Sequence, residues 1–226
     1  IKNKAIFVAM DFSVIISILP FVACGLFVTL KYALCALFFG LPLGIFFAIA
    51  KSGHCCFLKK LANFYTAIFR GTPLIVQFSL IYYATPQLFG LKLSLFQAGI
   101  LAFSLNSAAY SSEVIRAGIA SVEKGQWEAA QVLGMTRAQT WRHIILPQAF
   151  RTSLPSLVNE IINLIKESAI VSFFGEMDIM KKAQIITAEK FIYFEPYITA
   201  AFVYFFVVTL LSSLGRFLEK RYVIHS

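Results

Sequence analysis

Charge is scarce in this chain and acidic charge scarcest: 14% of its 226 residues are Asp, Glu, Lys or Arg, with 11 acids against 20 bases. A soluble domain draws about a quarter of its residues from those four types and about 45–50% from apolar ones. Here the apolar share is 59% and mean hydropathy is +0.77, which excludes an ordinary soluble domain. No G-x-x-x-x-G-K-[ST] occurs, so the chain does not itself cradle nucleotide phosphates. There is no GxSxG and no HExxH, and His54, His143 and His225 fall in separate polar stretches, so neither an activated nucleophile nor a histidine metal cage is expected. Of the four cysteines, Cys24 and Cys35 lie in apolar runs, while Cys55 and Cys56 are adjacent beside His54. That spacing does not make a four-ligand zinc site, and no metal is expected. No internal repeat or low-complexity segment is visible, and the start at Ile1, with Lys2 and Lys4, carries no small-residue cleavage site that would mark a removed signal peptide.

What is present is a series of apolar runs of about 20 residues, the length an α-helix needs to cross about 30 Å of hydrocarbon. The fold class expected is all-α: a polytopic membrane bundle of five transmembrane helices plus a short helix outside the bilayer, in one domain spanning 1–226. An N-terminal interfacial segment occupies 1–24, with a short helix near 11–19. Spans follow at 25–50, kinked near Gly40-Leu41-Pro42, and at 61–83, interrupted by Arg70-Gly71-Thr72-Pro73, then at 94–115, 154–174 and 196–214. Two spans within 11–50 would be an alternative, and would move the N-terminus to the other side. The net charge of +9 comes from bases dispersed at the ends of apolar runs, not interleaved with aromatics on one face, so it reads as positive-inside anchoring and not as a nucleic-acid surface. Lys51, Lys59 and Lys60, the bases of the 121–147 loop and Arg216, Lys220 and Arg221 mark one face as cytoplasmic. Five spans then place the N-terminus outside and the C-terminus inside.

The loop at 121–147 is the longest polar helical stretch. Ser121 is a candidate N-cap with Glu123 in the first turn, and Gly134 stands where a left-handed residue closes a helix. Thr136 and Gln139 have capping-box spacing for a second helix, and Pro147 marks where a third element begins. The expectation is two short rods meeting at a glycine corner. Ala129 and Ala130 strip bulk from one side of the first rod and Glu128 puts a charge at its start, which makes a docking knob.

Inside the spans, Glu160, Asn163 and Glu167 stand at i, i+3 and i+7, one stripe of a helix. Ionisable groups at such depth cost about 2.5–3.5 kcal/mol each on insertion scales unless they meet water or a partner, so they are candidates for substrate contact. The competing reading is internal pairing of Glu167 with Lys166 or Arg70. Glu113 and Arg116 can pair on one face. Ala108, Ala109 and Gly118 permit close helix packing. Arg70 is either a headgroup anchor or a site cation, and Gly-Thr-Pro after it would free backbone groups to bind something.

The pattern Glu128-Ala129-Ala130, three residues, Gly134, nine residues, Ile144, one residue, Leu146-Pro147 matches the EAA loop of ABC-importer membrane subunits. Arg70-Gly71-Thr72-Pro73-Leu74, Asn106-Ser107-Ala108-Ala109-Tyr110 with Glu113 and Arg116, Gly125-Gln126, and Lys166-Glu167-Ser168 resemble the polar-amino-acid branch of those permeases. That branch usually has aspartate where Glu167 stands. The resemblance implies a subunit with five spans that dimerises with itself or a sister permease and binds two ATPase subunits through the loop. It also implies an extracytoplasmic binding protein that delivers substrate, in the bacterial inner membrane. Glu128, Ala129, Ala130, Gly134 and Pro147 would carry the ATPase coupling. No cofactor would be bound directly, ATP and Mg residing on the ATPases.

A free amino acid needs a cation for its carboxylate and anions or amide oxygens for its ammonium. Arg70 would supply the first and Asn106, Glu160, Asn163 and Glu167 the second, and the excess of carboxylate favours a cationic side chain. The expected function is therefore an ATP-driven amino-acid permease working by alternating access, without enzymatic activity of its own. The alternatives are an ABC permease for methionine, a peptide or another small solute, or an ion-driven secondary transporter.

Overall fold

Glycines and small side chains, not the large apolar ones, decide how the bundle is put together. The computed structural model describes residues 11–53 and 55–222; Lys2, Lys4, His54, His225 and the first ten residues of the expected interfacial segment lie outside them. Among the described residues every regular element is helical.

Helix α1 (Phe12–Ala23) starts at Asp11, whose side chain accepts the Ser13 N–H at 2.9 Å. After Cys24 and Gly25, both in right-handed helical conformation, α2 (Leu26–Ser52) continues, so Phe12–Ser52 forms one rod of 41 residues. At about 1.5 Å per residue such a rod is close to twice the hydrocarbon thickness. Neither Pro20 nor Pro42 ends a helix. Gly40, expected as part of a kink, instead serves contact: a Cβ there would meet Ser104 O at 2.9 Å, and one at Gly44 would meet Ser111 Cβ at the same distance. Both partners lie on α6 (Leu95–Ala120), and the ascending register of these contacts shows α2 and α6 running in parallel. Ala36, Gly40, Gly44 and Ala48, spaced by four, are all buried against it, the small-residue seam by which helices approach closely in lipid.

Parallel neighbours require the intervening chain to travel back. Helices α3 (Cys56–Gly71), α4 (Leu74–Ser79) and α5 (Thr85–Phe89), the last two joined by a π-turn over Leu80–Ala84, do so as a pair of arms bent by 103° at Thr72-Pro73. Helix α6 opens on a capping box, Ser94 with Gln97, and ends at Ala120. Then come α7 (Lys124–Val132), α8 (Arg137–Thr140), a π-turn over Trp141–Ile145 and α9 (Leu146–Glu167). Gly118 leaves room for Ser153 and the Ala149 carbonyl, fixing α9 antiparallel to α6. A 3-10 turn leads into α10 (Val171–Phe174), closed by left-handed Gly175.

The connector between the last two expected spans contains α11 (Ile179–Lys190), buried through Ile179, Ala183 and Ile186 against α1 and the terminal α12 (Phe194–Tyr222). Asp178 caps it, accepting the Lys181 N–H at 2.8 Å, and burial pushes its carboxyl up to about 6. Tyr32, Phe78, Phe103 and Leu164 centre the main core.

By length and composition two helices are long and apolar enough to cross a membrane, Phe12–Ser52 and Phe194–Arg221, or three if the bent pair counts as one. Lys51 is not the anchor expected of a base at the end of an apolar run. It is 3% exposed, its ammonium donating to Thr66 Oγ1 (2.8 Å), Ser112 Oγ (3.3 Å) and Glu113 Oε1, and so is no headgroup anchor.

Candidate functional site

Two places carry polar chemistry. One is the helical hairpin at an end of the bundle, the other a stripe at its mid-depth.

The hairpin turns at Gly134, whose φ of +70° is the left-handed conformation expected there. Gly134 N–H bonds Gln131 O and Met135 N–H bonds Ala130 O, both at 3.0 Å, the paired closure of a Schellman motif. The Thr136 and Gln139 capping box forms as expected. Ser121 does not cap α7. The apolar face of α6 extends through Ile119 to Val122, which pack on Ile145 and Ala149, so Ser121 closes α6 instead and its hydroxyl donates to Gly118 O at 2.8 Å. Ala129 and Ala130 do not share a side: Glu128 and Ala129 are exposed, whereas Ala130 is 1% exposed. Helix α7 offers solvent an apolar tip as well, Val132 and Leu133.

Pro147 is exposed and stands in the first turn of α9, where a third element was expected to begin, although the backbone ahead of it is already helical. The π-turn ahead of it lets Leu146 N–H reach back five residues to Trp141 O, and the backbone stays helical over 137–174. The second rod is therefore the near end of α9. Trp127 of α7 meets Trp141 edge to face, centroids 5.4 Å apart, and Gln148 donates to Gln126 Oε1 at 3.3 Å. Sequence reasoning missed this brace, because nothing local links residues 14 apart across a turn; two tryptophans in a chain holding no others were the only signal.

On α9 the stripe of Glu160, Asn163 and Glu167 turns away from the core: Asn163 and Glu167 are exposed, Glu160 half-buried. The two ion pairs formed among the described residues are Lys51–Glu113 and Arg116–Glu113, the latter at 2.9 Å as its spacing foretold. Glu167 thus pairs with neither Lys166 nor Arg70. The Arg70 guanidinium lies 5.3 Å from the centroid of Tyr110, in the middle of α6. Antiparallel helices rise equally, so the Gly118–Ser153 crossing puts Glu160 abreast of the stretch from Ser107 to Ser111, at Arg70's depth.

Asn106 behaves differently from its expected role. It is 4% exposed, and its amide donates to Phe69 O (3.2 Å) and Gln77 Oε1 (3.1 Å). Gln77 in turn donates to Phe69 O (2.8 Å) and Thr72 O (3.0 Å). The carbonyls freed by the break after Arg70 are taken by these two amides, so they are not left to bind a solute. Gln77 was missed because its partners are exposed only once the helix has bent.

A helical bundle with small-residue crossings, a solvent-facing hairpin and mid-depth carboxylates without an ion-pair partner among the described residues has the build of a membrane subunit. The chain belongs to the family of binding-protein-dependent transport system inner membrane components, whose pattern matches residues 40–224. It is 52% identical over 204 residues to a putative glutamine transport system permease protein, GlnP, of Rickettsia bellii (strain RML369-C), covering 90% of this chain and 94% of that one. Similarity to the arginine transport system permease protein ArtQ of Bacillus subtilis (strain 168) is 42% over 212 residues, 94% and 97% of the two chains. Among solved structures, an amino acid ABC transporter crystallised with histidines superposes with a TM-score of 0.88 at 43% identity, covering 94% of this chain and 99% of its own. An inward-facing MetNI methionine ABC transporter shares the fold, with a TM-score of 0.70 at 20% identity over 89% and 93%.

Proposed function

We propose that this chain is the permease subunit of an ATP-driven importer of polar amino acids with a preference for cationic side chains. The observation that carries the cargo is the pair of α9 carboxylates, Glu160 and Glu167, which form no ion pair among the described residues, at the depth where Arg70 stands. Arg70 holds the substrate carboxylate; Glu160, Asn163 and Glu167 receive its ammonium and cationic side chain. Asn106 is a positioning residue that, through Gln77, fixes the helix end bearing Arg70. The named cargoes of the relatives, glutamine and arginine, support this class.

The whole of 1–226 works as one transmembrane domain with five crossings: α2, the bent α3 to α5, α6, α9 and α12. The parallel course of α2 and α6 supports this count, since it demands a return between them. The N-terminus lies outside and the C-terminus in the cytoplasm. Two ATPase subunits, carrying ATP and Mg, grip the hairpin at Glu128, Ala129 and Gly134, and Ala130 and Pro147 hold it on α9. The exposed stripe faces a second permease, and an extracytoplasmic binding protein delivers the substrate. ATP-driven closure tilts α9 and turns the mid-depth site from one side to the other.

The test is uptake of arginine, lysine, histidine and glutamine by vesicles holding the permease, its ATPases and its binding protein. Glu160→Gln is expected to narrow the difference between arginine and glutamine. Unchanged selectivity would overturn the assignment.

A further inference from the structure

Between the ends of α2 and α6 and the first half of α3 lies a cavity of about 540 Å³, lined by Lys51, Ser52, Lys59, Asn63, Glu113 and Arg116. Three cations face one carboxylate there, and the carboxylate is already spent: its two oxygens bond Lys51 and Arg116. Lys51 is spent too, its three donors held by Thr66, Ser112 and Glu113. What is left over is the Lys59 ammonium, the outer two nitrogens of Arg116 and the Asn63 amide, none bonded to another described residue. An unpaired ammonium, the outer nitrogens of a guanidinium and an amide converging on an open cavity, where three cations outnumber one carboxylate, fit a phosphate diester.

Depth selects its source. Arg116 stands about 13 Å along α6 from the helix midpoint, close to the half-thickness of about 15 Å at which hydrocarbon gives way to headgroups. Helix α3, which supplies Lys59 and Asn63, exposes Phe57, Leu61, Phe64 and Ile68, an apolar stripe of the kind acyl chains cover. Basic pockets between transmembrane helices at this level take anionic headgroups.

We propose that this cavity binds the phosphate of an anionic phospholipid, held by Lys59, Arg116 and Asn63, with Glu113 aiming the Arg116 guanidinium. The site stands one turn of α6 from the hairpin, so its occupancy steadies the α3–α6 contact against which the hairpin moves.

The experiment uses the full complex with its ATPases, in nanodiscs of phosphatidylcholine alone or of equal parts phosphatidylcholine and phosphatidylglycerol. Native mass spectrometry counts the phosphatidylglycerol retained on each permease. Retention is expected in the wild type and in Lys60→Gln, a neighbouring base that does not line the cavity. It is expected to weaken about fivefold in Lys59→Gln and about thirtyfold in the Lys59→Gln, Arg116→Gln pair. Lys59 makes no bond whose loss endangers folding, so the single variant stays informative if the pair does not assemble. Equal retention in Lys59→Gln and the wild type would overturn the proposal. Displacement of the lipid by millimolar inorganic phosphate would overturn it as well, because the site would then be one for the free anion.

Discussion

Trp127 and Trp141 face each other across the Gly134 turn, 5.4 Å between ring centres, and tie the short α7 to the base of α9. An aromatic pair of this geometry is worth about 0.5–1.5 kcal/mol beyond its buried area. Replacing each by Leu, singly and together, is expected to return a coupling of that size in a double-mutant cycle of thermal stability. Each single variant should also keep ATP hydrolysis while losing much of the uptake. Strictly additive effects would show that the two rings do not act as a unit.

Gly134→Val places a β-branched side chain at a φ of +70°, which costs about 1–2 kcal/mol in the left-handed region. The corner should open, and hydrolysis should proceed without uptake. Gly134→Asn, a residue that tolerates this conformation, is expected to retain most of the transport. Transport assays beside ATPase assays on the same vesicles decide it.

The corner and the capping box behind it were legible in the sequence because both are local: glycine for a left-handed closure, and Thr136 with Gln139 three residues on. Glu113 and Arg116 were legible for the same reason. Lys51 was not. A lysine at the end of an apolar run looks like an anchor until α6 is known to bring Glu113 beside it, and that partner is 62 residues away. Ser121 misled because an N-cap and the end of the preceding helix draw on the same residue types. Asn106 looked available for a solute because nothing in the sequence says that the bend at Thr72 would expose carbonyls within its reach.

Removing Glu113 strands a buried cation. Glu113→Ala should lower stability by about 3–5 kcal/mol, the cost typical of leaving one partner of a buried pair alone. Adding Lys51→Met to that variant should recover much of the loss, since the uncompensated ammonium goes with it. Thermal unfolding in detergent of the two variants and the wild type measures both changes.

Close crossings set a hard limit on size. A side chain at Gly44 would meet Ser111 Cβ at 2.9 Å and the Ala108 carbonyl at 3.1 Å, so Gly44→Leu is expected to abolish folded protein. Gly125→Ala, in α7 with open space around it, should instead stabilise by about 0.4–1 kcal/mol. Yield and melting temperature of the purified subunit separate the two cases.

Asp178, in the connector outside the spans, gives stability a pH dependence. Its folded value of about 6 lies above the ordinary 3.8, so between those values the unfolded chain holds fewer protons than the native one and stability falls as pH rises. The loss approaches about 3 kcal/mol once the pH exceeds both values, since a tenfold difference in proton affinity corresponds to about 1.4 kcal/mol. Asp178→Asn keeps an N-cap and should flatten the profile of melting temperature between about pH 4 and pH 7.

On the proposed reading, the continuous helical backbone over 137–174 makes a lever of α9. From Arg137 to Glu160 is about 35 Å, so under the proposed alternating access a swing of about 10° at the hairpin end would displace the carboxylate by about 6 Å. The wide turn at Trp141–Ile145, beside the tryptophan brace, and Pro155 farther along are where the regular hydrogen-bond ladder of this helix is interrupted. A lever joined to the hairpin by a wide turn would let a distant motor move a single charged group, as the proposed function requires.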